Sequence, residues 1–150
     1  MRLPHLTPFT NQPLIFLTAC VAERKPILAT DAVVSVLRSI WQRSAELDGW
    51  WVGRFVVMPD HAHLFVRSTI EAKPLAAWVK TWKSLSSREL TATLKFSAPI
   101  WQRDYFDHFV RSAASYSEKW EYVRNNPVRK GLVADPEAWP HQGEIHALQF

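Results

Sequence analysis

The strongest constraint on the fold is a pair of β-type runs that only two residues separate. Residues 50–58 read WWVGRFVVM and residues 61–67 read HAHLFVR, while Pro59 and Asp60 between them favour a turn. Two such runs joined by so short a connection predict an antiparallel β-hairpin. An isolated hairpin is only marginally stable in water, so the other segments of the chain have to extend and cover it.

The segments around the hairpin alternate between strand and helix patterns. Residues 13–20 form a short apolar run, and helical spacing follows from a cap at Thr30 or Asp31 to a stop at Asp48 and Gly49. The later predicted elements are a helix that Pro74 opens, an aromatic strand at 100–110 and a helix at 112–126 that Pro127 ends. The order β-α-β-β-α-β-α predicts an α+β fold, a ferredoxin-like antiparallel sheet with helices on a single face and an added C-terminal helix.

Length and composition limit the class of protein. With 150 residues and 47% hydrophobic content, we expect residues 1–150 to form one domain, in which residues 134–150 are a tail that folds back near the site or packs below it. The lone Cys20 excludes an internal disulfide and a cysteine-rich zinc site, which fits a reducing cytoplasm. No apolar run approaches the roughly 20 residues of a membrane helix, so a soluble protein is expected. A net charge of +4 favours an anionic partner, nucleic acid first, although ordinary solvated surfaces carry such an excess too.

Two histidines open the second hairpin strand. His61 and His63 point to the same face with Cα atoms roughly 7 Å apart, while Ala62 between them points into the core. Two imidazoles without cysteine cannot complete a structural zinc site, whereas a hard cation such as Mg²⁺ or Mn²⁺ would need an oxygen ligand and open positions. The alternative is a pair of half-exposed histidines at the mouth of a hairpin.

The last predicted helix has one tyrosine on its polar side. Tyr116, Trp120 and Val123 share an apolar stripe, and Tyr122 lies roughly 140° from Trp120. Asn126 follows Tyr122 by one turn, so its amide and the phenol could face the same point. Two simpler interpretations stay open: Tyr122 is an amphipathic aromatic residue that covers a neighbouring helix, and Asn126 caps its own helix.

Four segments together resemble a known family. They read IFLTACVAERKPIL, MPDHAHLFV, IWQRDYFDHFVR and WEYVRNNPVRKGLV, and they resemble the single-tyrosine HUH transposases, especially the REP-associated tyrosine transposases of bacteria. The resemblance implies that His61 and His63 bind Mg²⁺ or Mn²⁺, that Asn126 is a third, polar ligand and that Tyr122 is the nucleophile. Asp60, where the family usually has Asn, and the small Ala62 depart from the pattern without removing a catalytic group.

The resemblance also implies a substrate, single-stranded hairpin DNA of the REP type, nicked and rejoined through a 5′-phosphotyrosine in the bacterial cytoplasm, at the nucleoid. A monomer or a homodimer is compatible with it. Cationic side chains on the helix that Pro74 opens and near Tyr122 are the candidate contacts to DNA: Lys80, Lys83 and Arg88 on that helix, and Arg124, Arg129 and Lys130 near Tyr122. Each is also compatible with an ordinary solvated charge.

Two rival functions remain open at this point. A replication initiator or relaxase of the HUH class would share the chemistry but prefer a double-stranded origin. A non-catalytic module for single-stranded nucleic acid would bind without metal and keep its function after His61→Ala, since ferredoxin-like sheets with aromatic side chains also bind RNA.

Overall fold

The computed structural model describes residues 12–150, and a five-stranded antiparallel sheet lies at its centre. The strand order is β4-β1-β3-β2-β5. The strands are β1 (Leu14–Cys20), β2 (Trp50–Val57), β3 (His61–Ser68), β4 (Phe106–Val110) and β5 (Gln142–Glu144). β2 and β3 form the predicted hairpin, and β1 pairs with β3 so that Cys20 lies opposite His61 and Thr18 opposite His63.

Four α-helices accompany the sheet in this part of the chain: α1 (Asp31–Asp48), α2 (Leu75–Leu94), α3 (Ala113–Arg124) and the one-turn α4 (Asn126–Arg129). The predicted limits of α1 follow from its caps. Thr30 Oγ1 accepts a hydrogen bond from the Val33 amide at 3.2 Å. Gly49 ends the helix in a left-handed conformation with φ 75°, which a residue without Cβ adopts easily. None of the helices described is long and apolar enough to cross a membrane.

The two faces of the sheet are covered by different helices. The larger apolar cluster joins α1 and α2 to one face through tryptophan rings, with Trp41 5.6 Å and Trp101 5.1 Å from Trp82 between ring centroids. The opposite face packs against α3, where the rings of Tyr116 and Phe65 lie 4.8 Å apart. The ferredoxin-like arrangement is confirmed for β1 to β4. The expectation of helices on a single face is wrong, because the added helix α3 covers the second face.

Two predicted element limits are also wrong. The fourth strand begins at Phe106 instead of residue 100. Trp101 forms only an isolated bridge with Val21, and its ring is buried in the larger cluster. The last long helix ends at Arg124, and Pro127 lies in the first turn of α4 instead of ending a helix. A first turn tolerates proline because its amide hydrogens have no partner within the helix.

The C-terminal segment completes the sheet. β5 pairs with β2, and the Trp139 indole, 9% exposed, donates to the Val57 carbonyl at 3.0 Å. Val57 in turn donates its amide to the His141 carbonyl at 2.8 Å. Residues 139–144 therefore lie along the outer edge of β2, which is the strand next to the histidines on β3.

Candidate active site

The histidine cluster forms at the beginning of β3. Strand alternation turns both rings to the face that α3 covers, where their centroids lie 4.7 Å apart at an angle of 78°. His61 is 8% exposed, and His63 is half-buried and stacks on Phe16 at 5.3 Å. Ala62 between them is fully buried in the core below. The first three residues of β3 therefore place two imidazole rings side by side on one face of the sheet.

Each ring has an oxygen partner at Nδ1. His61 Nδ1 lies 2.7 Å from Asp60 Oδ1, and His63 Nδ1 lies 2.8 Å from Thr18 Oγ1. An ionised carboxylate can only accept, so His61 donates from Nδ1 and keeps its lone pair on Nε2. The Thr18 hydroxyl can accept from His63 in the same way. Rings held at Nδ1 by oxygen acceptors are typical of histidines that bind a cation through Nε2.

Asp60 has a second partner. Arg24 donates from Nε to Asp60 Oδ2 at 2.9 Å, so the carboxylate bridges a guanidinium and an imidazole. Together these partners outweigh its burial and hold the Asp60 pKa below its usual value. Arg24 adopts a positive φ of 54° in the short 3-10 turn after β1. Sequence analysis missed both Arg24 and Thr18, because a turn contact and a cross-strand contact leave no periodic signal.

Asn126 closes the cluster. Its Nδ2 lies 3.3 Å from His61 Nε2 and 3.4 Å from His63 Nε2, and the residue is 8% exposed. The neighbouring Asn125 is the helix cap, with its side-chain Nδ2 donating to the Glu121 carbonyl at 2.7 Å. The side chain of Asn126 is therefore free of the capping role that the sequence left open.

The surroundings keep the two histidines neutral. Burial, followed by His61, Lys119, Arg129 and Arg24, lowers the pKa of His63 to about 3. Burial also lowers the pKa of His61, against the hydrogen bond and charge of Asp60. Neutral imidazoles have lone pairs to offer, and the same cations that disfavour their protonation create a positive field suited to a phosphate.

Tyr122 lies on the outer side of α3, away from the apolar stripe of Tyr116, Trp120 and Val123 that packs on the sheet. It is 64% exposed, and the Arg129 guanidinium carbon lies 3.7 Å from its ring centroid. Tyr122 borders a cavity of about 360 Å³ between α3 and the edge strand β4. The phenol is thus open to a large ligand and lies one turn before the residue that contacts both histidines.

The predicted DNA-contact residues fall into separate groups. Lys130 is exposed and borders a cavity of about 210 Å³ together with Arg24, Asp60 and His61. Arg124 lies within 3.3 Å of Glu121 and 3.8 Å of Glu137. Lys80 and Arg88 are exposed on α2, whereas Lys83 is 8% exposed and points inward. The interpretation of Lys83 as an ordinary solvated charge is therefore wrong.

Comparison with known proteins defines the class to which this fold and site belong. The family model described as "Transposase IS200 like" matches residues 13–126, which include the histidines, Tyr122 and Asn126. The chain belongs to the IS200-like transposase family. Within the residues described, no group of three or more His, Cys, Asp or Glu side chains could hold a metal ion.

Within this family, the chain is similar to REP-associated tyrosine transposases in sequence and in fold. The chain is 24% identical over 142 residues to a Haemophilus influenzae protein named "Putative REP-associated tyrosine transposase", covering 89% of this chain and 80% of the relative. It is 26% identical over 110 residues to the REP-associated tyrosine transposase of Escherichia coli K12, covering 73% of this chain and 58% of the relative. A solved REP-associated tyrosine transposase bound to a REP hairpin has the same fold, with a TM-score of 0.73 at 19% identity over 95% of this chain and 80% of that one. The similarity to REP-associated tyrosine transposases that the sequence predicts is confirmed.

Proposed function

We propose that this chain is a metal-dependent transposase that nicks and rejoins single-stranded REP-like hairpin DNA, with Tyr122 as its nucleophile. One observation carries the proposal: the Asn126 amide lies within 3.4 Å of Nε2 of both histidines, one turn after an exposed tyrosine. Family membership supports the reaction class, and this geometry supports the assignment of roles to residues.

His61, His63 and Asn126 would hold a divalent cation such as Mg²⁺ or Mn²⁺. The two Nε2 atoms face one amide, and a rotation of that amide would exchange its nitrogen for its oxygen, giving two nitrogen ligands and one oxygen ligand. Such a set leaves positions open for phosphate oxygens. A cation bound there would withdraw charge from the scissile phosphodiester.

Tyr122 would carry out the bond exchange. Its phenolic oxygen forms a bond to phosphorus, the bond from phosphorus to the 3′ oxygen breaks, and the phenol proton ends on the released 3′ hydroxyl. The 5′ end of the DNA is then a tyrosine ester. Attack by a 3′ hydroxyl reverses the exchange and joins the strands. One phosphoester bond replaces another at each step, so no ATP is consumed.

The cationic side chains would hold the DNA backbone around this centre. Arg129 stacks on the Tyr122 ring, which both orients the ring and brings positive charge to the point where the phosphate must bind. Lys130 and Arg24 border the cavity beside His61. Arg124 on α3 and the exposed Lys80 and Arg88 on α2 would contact flanking phosphates.

The proposed partner is hairpin DNA of the type named for the solved relative, met by a monomer or a homodimer of this chain at the bacterial nucleoid. A hairpin with single-stranded flanks offers both features that the site requires: phosphates for the cations and an accessible phosphodiester for Tyr122.

The test is formation of a covalent adduct. Labelled REP-like hairpin DNA with single-stranded flanks is incubated with the protein and Mn²⁺, and the product is separated under denaturing conditions. We expect an adduct with the wild-type protein, none with Tyr122→Phe, and none with the wild type in excess EDTA. An equal adduct with Tyr122→Phe would exclude Tyr122 as nucleophile, and hairpin binding without any adduct would favour the non-catalytic module.

A further inference from the structure

A third cavity lies between α2 and the loop that leads into β4. Its volume is about 490 Å³, within the roughly 300–1,000 Å³ of small-molecule sites. It shares no lining residue with the cavities beside Tyr122 and His61. The reaction proposed above assigns no role to it.

A buried lysine lies at this cavity. Lys83 is 8% exposed, and its Nζ donates to the carbonyl oxygens of Gln102 at 2.8 Å and Asp104 at 2.9 Å. An ammonium group has three N–H donors, so these two bonds leave one for a ligand. Burial lowers the pKa of Lys83 from its ordinary value, and the charge of Asp104 opposes that shift.

The rest of the lining suits a planar, partly apolar ligand that is joined to phosphate. The Tyr105 ring is half-buried with its centroid 5.8 Å from Lys83 Nζ, and Ile100 supplies an apolar surface. Lys80 and Arg103, both exposed, add two cations at the border of the cavity. An aromatic surface, an inner donor and outer cations correspond to the parts of a nucleotide: the ring face, its acceptor atoms and its phosphates.

The cavity is connected to the candidate active site through the backbone. The Gln102 amide donates to the Cys20 carbonyl at 2.9 Å, and Cys20 lies opposite His61 in the sheet. The loop that holds Lys83 is therefore joined to the strand end beside the histidines. A single strand that reaches the histidines could continue to this loop.

We propose that this cavity binds one unpaired base of the single-stranded DNA that flanks the hairpin, and thereby selects the position of cleavage. The base stacks on Tyr105 and accepts a hydrogen bond from Lys83, while Lys80 and Arg103 contact the adjoining phosphates. This inference rests on the proposed function, since it takes the DNA to be the substrate of Tyr122.

The test combines a substitution that fills the cavity with DNA probes that each lack one base. Ser84 is an exposed residue of α2 in the cavity lining, so Ser84→Trp occupies the space while Ser84→Ala is the matched control. Both changes are made in the Tyr122→Phe protein so that binding is measured without cleavage. The probe is a REP-like DNA hairpin with single-stranded flanks, in which each flanking nucleotide in turn is replaced by an abasic one.

We expect one flanking position at which the abasic probe binds about tenfold more weakly to the Ser84→Ala protein, the scale of one base-stacking contact. At that position Ser84→Trp should bind the intact and abasic probes equally. If Ser84→Trp changes the affinity for all probes by one common factor, or for none, the cavity does not bind a base. Failure of the hairpin to bind even the wild-type protein would instead overturn the proposed function, and this inference with it.

Discussion

The Asp60 carboxylate accepts hydrogen bonds from two side chains, His61 and Arg24. It accepts from His61 Nδ1 at 2.7 Å and from Arg24 Nε at 2.9 Å. The family resemblance leads one to expect Asn at this position. A carboxylate keeps the acceptor that fixes the ring and adds a link to Arg24 that a neutral amide would hold less strongly.

The role of Asp60 can be tested by metal affinity. Asp60→Ala should weaken Mn²⁺ binding about tenfold or more, because loss of the partner at Nδ1 frees the orientation of the imidazole. Asp60→Asn should lose less, since an amide oxygen can still accept from His61. Calorimetric titration with Mn²⁺ gives both values. Equal weakening in the two variants would show that the carboxylate acts through its charge and not by orienting the ring.

The buried histidines should make the fold sensitive to acid. The pKa of His63 is about 3 in the folded chain and 6.5 ordinarily. Between these pH values His63 is protonated in the unfolded chain but not in the folded chain. Its contribution to stability is complete above pH 6.5 and falls as the pH falls toward 3. At pH 5 the loss is about 2 kcal/mol, from about 1.4 kcal/mol per pH unit.

The measurement is the free energy of unfolding by denaturant in EDTA, at several pH values between 7.5 and 5. We expect His63→Gln to be less stable than the wild type at pH 7.5 but to lose about 2 kcal/mol less on acidification to pH 5. His61→Gln should flatten the curve as well, because the pKa of His61 is also lowered. Parallel curves for His63→Gln and the wild type would contradict the low pKa.

At the scale of elements, α3 and α4 are two short helices whose junction decides the site. α3 lays Tyr116 and Trp120 on Phe65 and leaves Tyr122 facing outward. The chain then turns at Asn125 and brings Asn126 to the histidines. α3 therefore ends at the Asn125 cap, and the next residue, Asn126, completes the cluster with His61 and His63.

The beginning of α3 depends on one cap. Ser112 Oγ accepts from the Ser115 amide at 3.0 Å, so Ser112→Ala should lower the free energy of unfolding by about 1 kcal/mol. Ser112→Asp should retain most of the stability because its carboxylate can accept the same bond. Denaturant unfolding of the three proteins measures this. A cost as large for Ser112→Asp as for Ser112→Ala would indicate that the hydroxyl, and not the cap, is required.

At the scale of the whole molecule, cationic side chains from several elements lie around the two histidines. Arg24, Lys119, Arg129 and Lys130 all act on the histidines and disfavour their protonation. They come from the turn after β1, from α3 and from the α4 region, so elements distant in sequence bring positive charge to the histidines. The modest net charge of +4 therefore understates the positive potential that DNA would meet here.

This distribution predicts a local salt effect. Replacing Lys130 by Gln should reduce the slope of log affinity against log salt concentration by about 0.7, the value of one phosphate contact to single-stranded DNA. Arg43→Gln is the matched control, because Arg43 lies on α1, which covers the opposite face of the sheet. Fluorescence anisotropy with hairpin DNA across a salt series gives the slopes. The same reduction in both variants would indicate nonspecific attraction by the whole surface.

Local pattern alone was enough for several features. The turn residues and alternation of 50–67 predicted the hairpin and the shared face of the two histidines, because strand geometry alternates with every residue. Helical periodicity likewise separated Tyr122 from the packed stripe on α3. These features depend only on residues that are near one another in the chain.

Tertiary structure decided the rest. The sequence left open whether Asn126 caps its helix, and the structure assigns the cap to Asn125 while Asn126 contacts two histidines more than sixty positions earlier in the chain. The sequence allowed Lys83 to be an exposed cation, but its ammonium group points inward and donates to the loop carbonyls of Gln102 and Asp104. The strand β5 carries no strong strand signal and forms because the edge of β2 offers free backbone partners. In each case the deciding partner is distant in sequence, and no local period can report it.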